Sequence, residues 1–238
     1  MNPTWRHVFE TYEGWKHRNG LLIQLGRLEQ RKWITRSSKD RKDRVYRLSA
    51  QARTHIVGGR DPEARWARNW DQRWRLVIFD IPNERNAERE RLRRYLHRKD
   101  FGCLQKSVWI SPDPLDEERR VLAGGRVNVE SLLIFEGRAI AGESAEQIVL
   151  GAWDFVSINE RYSRYLRILQ ARPTQIAKDK ATALKFLEWL SRERKSWLDA
   201  VIRDPLLPKR LLPSNYLGQK AWQRRLKTMK EIAENGVC

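Results

Sequence analysis

Trp74-Arg-Leu-Val-Ile-Phe-Asp80, closed by Ile81-Pro82, is the stretch on which the reading of the fold turns. Its β-branched and aromatic residues favour a strand, and the proline that follows ends strand pairing. Next along the chain, Glu84 to Lys99 carries Leu92, Tyr95 and Leu96 at helical spacing, so this stretch predicts an amphipathic helix. Glu88 and Glu90 are interleaved with arginines there, the pattern of a salt-bridged solvent face. Phe101 to Ile110 supplies two short strands, closed by Ser111-Pro112. Leu115 to Ala123 reads as a short helix followed by Gly124-Gly125, and Val129 to Phe135 as a last strand. This βαββαβ order is that of a ferredoxin-like domain.

Towards the N-terminus the pattern changes. From Gly20 to Arg31, Leu21, Leu25 and Leu28 fall on one helical face, with Gln24, Arg27 and Arg31 on the other side. Trp33 to Arg36 is a short extended run. Ser37 to Asp43 is wholly polar and turn-forming, and Arg44 to Leu48 returns as a second strand. Ser49 caps a short helix running to Ile56. Helix, strand, charged hairpin, strand, helix is the order of a winged helix. In such a module Gln24, Arg27 and Arg31 would lie along a DNA groove, and Lys39, Arg41, Lys42 and Arg44 at the hairpin tip would neutralise phosphates. Thr4 to Arg18 forms one further helix, with Trp5, Val8, Tyr12 and Trp15 as its seam. Gly58 to Gln72 reads as a connector whose Trp66 and Trp70 dock on the following domain.

The last third is helical. Ser144 to Trp153, Ser157 to Gln170, Ala181 to Ile202 and Gln219 to Ala233 have the 3.6-residue period. Asp204-Pro-Leu-Leu-Pro-Lys-Arg-Leu-Leu-Pro213 interrupts them. Its prolines forbid a helix, and its leucines make it an apolar strap that must pack against something.

Charge narrows the function class. The 238 residues carry 48 Lys+Arg against 30 Asp+Glu, a net charge of +18. The excess is uneven: residues 1–75 are net +10, residues 76–150 net −1 and residues 151–238 net +9. A neutral middle between two basic ends points to a polyanion partner, most simply nucleic acid. No stretch approaches the roughly 18 uninterrupted apolar residues of a membrane span, and no secretory signal is legible at the N-terminus. Cys103 and Cys238 cannot make a disulfide framework and suit a reducing cytoplasm. The four histidines, His7, His17, His55 and His97, have no partner at zinc spacing. No phosphate-binding loop, nucleophile elbow or Ser/His/Asp set is present, so no catalytic residue and no cofactor is assigned. Arg161, Arg164, Arg167, Lys178 and Lys180 could hold phosphates, follow a DNA backbone or simply face water.

Trp70 to Pro82, the Arg-rich helix after it and Phe101-Gly to Ser111-Pro112 resemble the central domain of the PaaX family, bacterial transcriptional repressors of phenylacetate degradation. Ala152-Trp-Asp154, Arg161-Tyr162, Arg203-Asp-Pro-Leu-Leu-Pro208 and Leu211-Leu-Pro213 are similar to that family's C-terminal domain. Leu25, Arg27-Leu28 and Trp33 match its recognition helix and the start of its wing. The resemblance covers roughly residues 20–230. Leu22 departs from it, standing where the family tends to place a basic residue. The resemblance implies an α+β protein with three parts. Residues 1–57 are a partial winged-helix DNA-binding module, joined through a linker at 58–73 to a ferredoxin-like dimerisation domain at 74–140. Residues 141–238 are a helical effector-binding domain. It further implies a cytoplasmic homodimer on double-stranded DNA, released by an aryl-acetyl coenzyme A thioester such as phenylacetyl-CoA.

Val77-Ile-Phe-Asp-Ile-Pro82 and Gln105-Lys-Ser-Val-Trp109 also resemble the small CRISPR adaptation endonuclease of ferredoxin-like fold. There the strand-end aspartate, here Asp80, is paired across a dimer axis to hold a divalent metal, which implies as the alternative a metal-dependent nuclease or a CRISPR-associated protein built on this central domain. Asp80 can equally cap the following turn or pair with an arginine of the helix.

Overall fold

The computed structural model describes residues 27, 29–32, 34–37, 45–48, 60–115, 131–139, 142–173 and 180–235. The chain divides into two compact units, Met1–Asp61 with Lys227–Cys238, and Pro62–Leu226.

In the first unit, Arg27, Glu29 and Gln30 are helical, and β1 (Ile34–Ser37) pairs antiparallel with β2 (Val45–Leu48). The register runs from Ile34 opposite Leu48 to Ser37 opposite Val45, so both strands stop at the same level and residues 38–44 join them. The hairpin expected from the sequence is therefore present. The helices read over Thr4–Arg18 and Ser49–Ile56 lie outside the described residues.

The second unit opens with α1 (Pro62–Ala67), inside the stretch read as a connector. Proline suits its first turn because that position needs no backbone N–H donor. The sheet follows as β3 (Trp74–Asp80), β4 (Gly102–Gln105), β5 (Val108–Ser111) and β6 (Ser131–Gly137), in the spatial order β4-β5-β3-β6 with every neighbour antiparallel. α2 (Asn86–Arg98) crosses one face. This is the strand order expected of a ferredoxin-like sheet. The second crossing helix, expected over Leu115–Ala123, lies beyond Leu115 outside the described residues.

Strand alternation sorts the sheet's faces. Val77, Phe79 and Trp109 meet Leu92 and Leu96 of α2 in a core that also holds Ile81, Phe101 and Leu115. Leu76 and Ile78 point to the other face, in register with Phe135 and Leu133 on one side and Ile110 and Val108 on the other. Beside β4 that second face is covered. Gly102 lies so close to the end of α3 (Ala145–Ala152) that a Cβ there would stand 2.7 Å from the Cβ of Ala152. Trp153 donates its indole N–H to the carbonyl of Asp100 at 3.1 Å. Beside β6 the face is open: Leu133 and Phe135 are about half exposed.

The C-terminal helices follow their periodicity. Ser144 and Gln147 form a reciprocal capping box at the start of α3. α4 (Phe155–Gln170) begins two residues before the expected Ser157, because the Asp154 carboxylate accepts the backbone N–H of Ser157 at 2.9 Å and starts the helix there. Phe155, Ile158, Tyr162, Tyr165 and Leu169 form its buried seam. It packs on α5 (Lys180–Arg203), whose Trp189, Glu193, Trp197 and Ala200 are buried. Asp204 to Pro208 then run as the buried strap into a short 3-10 turn, Lys209–Leu211, and α6 (Gly218–Asn235) ends the chain's regular structure.

Candidate functional site

Of the residues read as DNA contacts, Arg27 and Arg31 are described, and both are exposed. They sit on one helical turn: the Arg31 N–H donates to the carbonyl of Arg27 at 3.1 Å, which stacks residues i and i+4 along one face. Lys32 donates to the carbonyl of Glu29 at 2.9 Å and adopts a φ of +56°, a left-handed stop that ends the helix and turns the chain into β1. Lys39, Arg41, Lys42 and Arg44 fall in the sequence between β1 and β2. Those four, like Gln24, lie outside the described residues. The exposed Arg27 and Arg31 thus stand just before the β1–β2 pair in one unit.

Asp80, the residue of the nuclease alternative, ends β3 opposite Ser131 and is exposed. Alternation places it on the open face of the sheet, in line with Leu76 and Ile78 rather than with the core residues Val77 and Phe79. Among the described residues, no three His, Cys, Asp or Glu side chains gather in a way that could hold a metal ion.

Several charged groups of the central sheet and the C-terminal helices are committed to structure. Arg75 is buried on β3. It donates from Nε to Glu136 at 3.0 Å, from Nη1 to the carbonyl of Pro112 at 3.0 Å and to both oxygens of Asp71. Hydrogen bonding to Arg75 holds the Asp71 carboxyl below its usual range, and Arg73 with Arg75 does the same for Glu136. Arg93 pairs with Glu90 at 2.7 Å, as the alternating charges of that helix predict. Arg161 is held by Asp199 at 2.7 Å, an intramolecular ion pair that none of its three readings named.

Two connections were not legible in the sequence. Arg68 clamps Asp113 in a bidentate pair, 2.7 and 3.0 Å, and donates its remaining amine to the carbonyls of Arg65 and Leu206. Asp204, fully buried, accepts the hydroxyl protons of Tyr162 at 2.6 Å and of Tyr216, and the backbone N–H of Leu206 at 2.8 Å. The strap signal pointed to the second, but its partners come from α4 and from beyond the strap.

Comparison with known proteins bears on these elements directly. Residues 67–149 match the family model for the PaaX protein central Cas2-like domain, and residues 153–236 match that for the PaaX-like protein C-terminal domain. The chain is 21% identical over 232 residues to the transcriptional repressor PaaX of Escherichia coli (strain K12), an alignment covering 93% of this chain. It spans 65% of the length of that curated relative. An uncharacterized protein from Mycobacterium tuberculosis shares the fold, with a TM-score of 0.53 and 22% identity over 91% of this chain and 82% of its own. Two family domains in order, laid over the antiparallel sheet and over the helices with their buried strap, settle the family: the chain belongs to the PaaX family.

Proposed function

We propose that this protein is a PaaX-like transcriptional repressor that binds double-stranded DNA as a homodimer and is released by an aryl-acetyl-CoA-type effector. Residues 1–57 are its DNA-binding module, a partial winged helix, joined by residues 58–73 to the rest. Residues 74–140 dimerise, and residues 141–238 receive the effector. It acts in the cytoplasm. The observation that carries this reading is the arrangement of cations in the N-terminal unit. Exposed Arg27 and Arg31 end one helical turn, the paired strands β1 and β2 follow, and the sequence between those strands carries Lys39, Arg41, Lys42 and Arg44. A helix end beside a cationic hairpin suits groove reading beside phosphate neutralisation, with Gln24, Arg27 and Arg31 facing bases and the loop facing the backbone. The curated relative is itself a transcriptional repressor, which supports the same reading.

Dimerisation is placed on the open face of the central sheet. Leu133 and Phe135 present apolar surface there, within the net-neutral third of a chain that is otherwise strongly basic. Like charge opposes self-association everywhere except at such a patch.

The test is a titration of the protein on the duplex upstream of its own gene and on a shuffled copy, at ~150 mM salt so that weak electrostatic binding is not inflated. Preference for the native duplex by more than about tenfold is expected. Equal binding to both would overturn the reading. Replacing Arg41 and Lys42 by alanine should weaken binding to every sequence and flatten the salt slope by roughly one per lost phosphate contact. Replacing Gln24 or Arg27 should instead erode discrimination between the two duplexes.

The position of Asp80 favours one second reading. It lies on the same open face, so two copies meeting there would bring two Asp80 carboxylates towards each other, as a metal-dependent nuclease requires. Mg²⁺-dependent cutting of the duplex, lost in Asp80→Asn, is the outcome that would replace the repressor reading with this one.

A further inference from the structure

A cleft of about 390 Å³ opens in the Pro62–Leu226 unit where α1 and the residues after it face the Lys209–Leu211 turn and the first half of α6. That volume falls in the range of roughly 300–1,000 Å³ that holds small organic ligands. One wall is aromatic and braced from behind. The Trp222 ring lies 5.4 Å from that of Trp197 at an angle of 31°, and Trp197 is fully buried with the Arg225 guanidinium 5.1 Å from its centroid. Arg225 is itself fixed by Glu193 at 2.8 Å. Trp222 therefore meets a ligand in a conformation already set, which lowers the ordering cost of binding. Leu226, 46% exposed, continues this apolar wall.

The charged lining separates into spent and available groups. Arg68 has its donors committed to Asp113 and to two backbone carbonyls. Lys209 and Arg210 are different. Both are exposed, and among the described residues neither side chain has a carboxylate partner. The turn that carries them is pinned by buried Leu207, Pro208 and Leu211 on either side, so their stems start from a fixed base. An apolar plate and two adjacent cations in one lining select one kind of molecule.

We propose that this cleft binds an organic anion with a flat apolar body, the body lying against Trp222 and Leu226 and its phosphate or carboxylate held by Lys209 and Arg210.

The experiment uses the full chain with ¹⁵N-labelled indoles, titrated with 1-naphthyl phosphate and, separately, with inorganic phosphate and 1-naphthol. The Trp222 indole signal, assigned through Trp222→Phe, is the reporter; its N–H has no hydrogen-bond partner among the described residues. Naphthyl phosphate should shift it saturably, and each half-molecule alone should bind about tenfold more weakly or worse. Lys209→Ala with Arg210→Ala should weaken naphthyl phosphate by about tenfold or more while leaving 1-naphthol unchanged. An unmoved Trp222 signal, equal affinity for 1-naphthol, or an unaffected double variant would each overturn the site. DNA affinity measured on the same samples separates the two readings. Probe binding without any DNA binding leaves the cleft standing and removes the repressor reading alone.

Discussion

Asp204 shows what one buried carboxylate does for this chain. It has no exposed surface, and its acceptors are used by Tyr162, Tyr216 and the Leu206 backbone at once. Removing it strands two tyrosine hydroxyls in the interior, each costing about 1–3 kcal/mol. Asp204→Ala should therefore lower stability by several kcal/mol in urea titration, and Tyr162→Phe by about 1–2 kcal/mol. Equal, small losses for both would show that water reaches the site. The Asp71–Arg75–Glu136 cluster sets a pH dependence. Both carboxyls titrate lower in the folded protein than they would in the open chain, held down by the arginines. Groups of that sign contribute stability above the ordinary carboxylate range and lose it as pH falls through their lowered folded values. The urea midpoint should drop between pH 5 and pH 3. In Arg75→Gln that drop should be shallower, whereas an unchanged slope would remove the cluster as its cause.

At the scale of elements, the seam between β4 and the end of α3 is the most tightly specified contact. Gly102 faces Ala152 and Trp153 with no room for a methyl: its Cβ would stand 2.7 Å from atoms of both. The glycine is required by close approach rather than by a special backbone angle. Gly102→Ala should cost about 1–3 kcal/mol through overpacking, and Ala152→Gly combined with it should recover part of the loss. Additive loss in the double variant would mean the strain is relieved elsewhere. The elements themselves were legible because each has one dominant period. Alternation over Trp74–Asp80 gave β3, and the seam Phe155-Ile158-Tyr162-Tyr165-Leu169 gave α4. Boundaries were less legible where a side chain reaches outside the pattern, as Asp154 does in starting α4. α1 was hidden for a similar reason. Six residues are too few to show a period, and its place is fixed by distant partners: Arg65 reaches Asp100 at 2.8 Å, and Trp66 meets the Tyr216 ring edge-on at 6.1 Å.

At the scale of the molecule, charge is distributed unevenly along the chain. The basic ends suit a polyanion, and the neutral third carries the open sheet face with Leu133 and Phe135. If that face joins two copies, Phe135→Glu should convert the dimer to monomer in sedimentation velocity and weaken operator binding, because two linked readers bind far better than one. A Phe135→Glu protein that remains dimeric would move the interface elsewhere. Thermal unfolding near that of the parent would confirm that the exposed site tolerates the charge.

The sequence by itself determined the α+β class, the four strands and first helix of the centre, the four C-terminal helices, the burial of the strap that begins at Asp204, and the family. Periodicity and turn chemistry are local, so neighbouring residues carry them whatever the rest of the chain does. The pairing of β1 with β2 was legible in the same way, since the two strands needed only their own residues to pair. Only the tertiary structure decided which charges are spent. Nothing near Arg68 in sequence announces Asp113 or the carbonyl of Leu206, and nothing near Lys209 and Arg210 announces that they face Trp222 across a cleft. Those groups lie far apart along the chain and meet only because helices and sheet pack at fixed distances. A charge's role depends on what stands within a few ångströms of it, and that is a property of packing rather than of sequence.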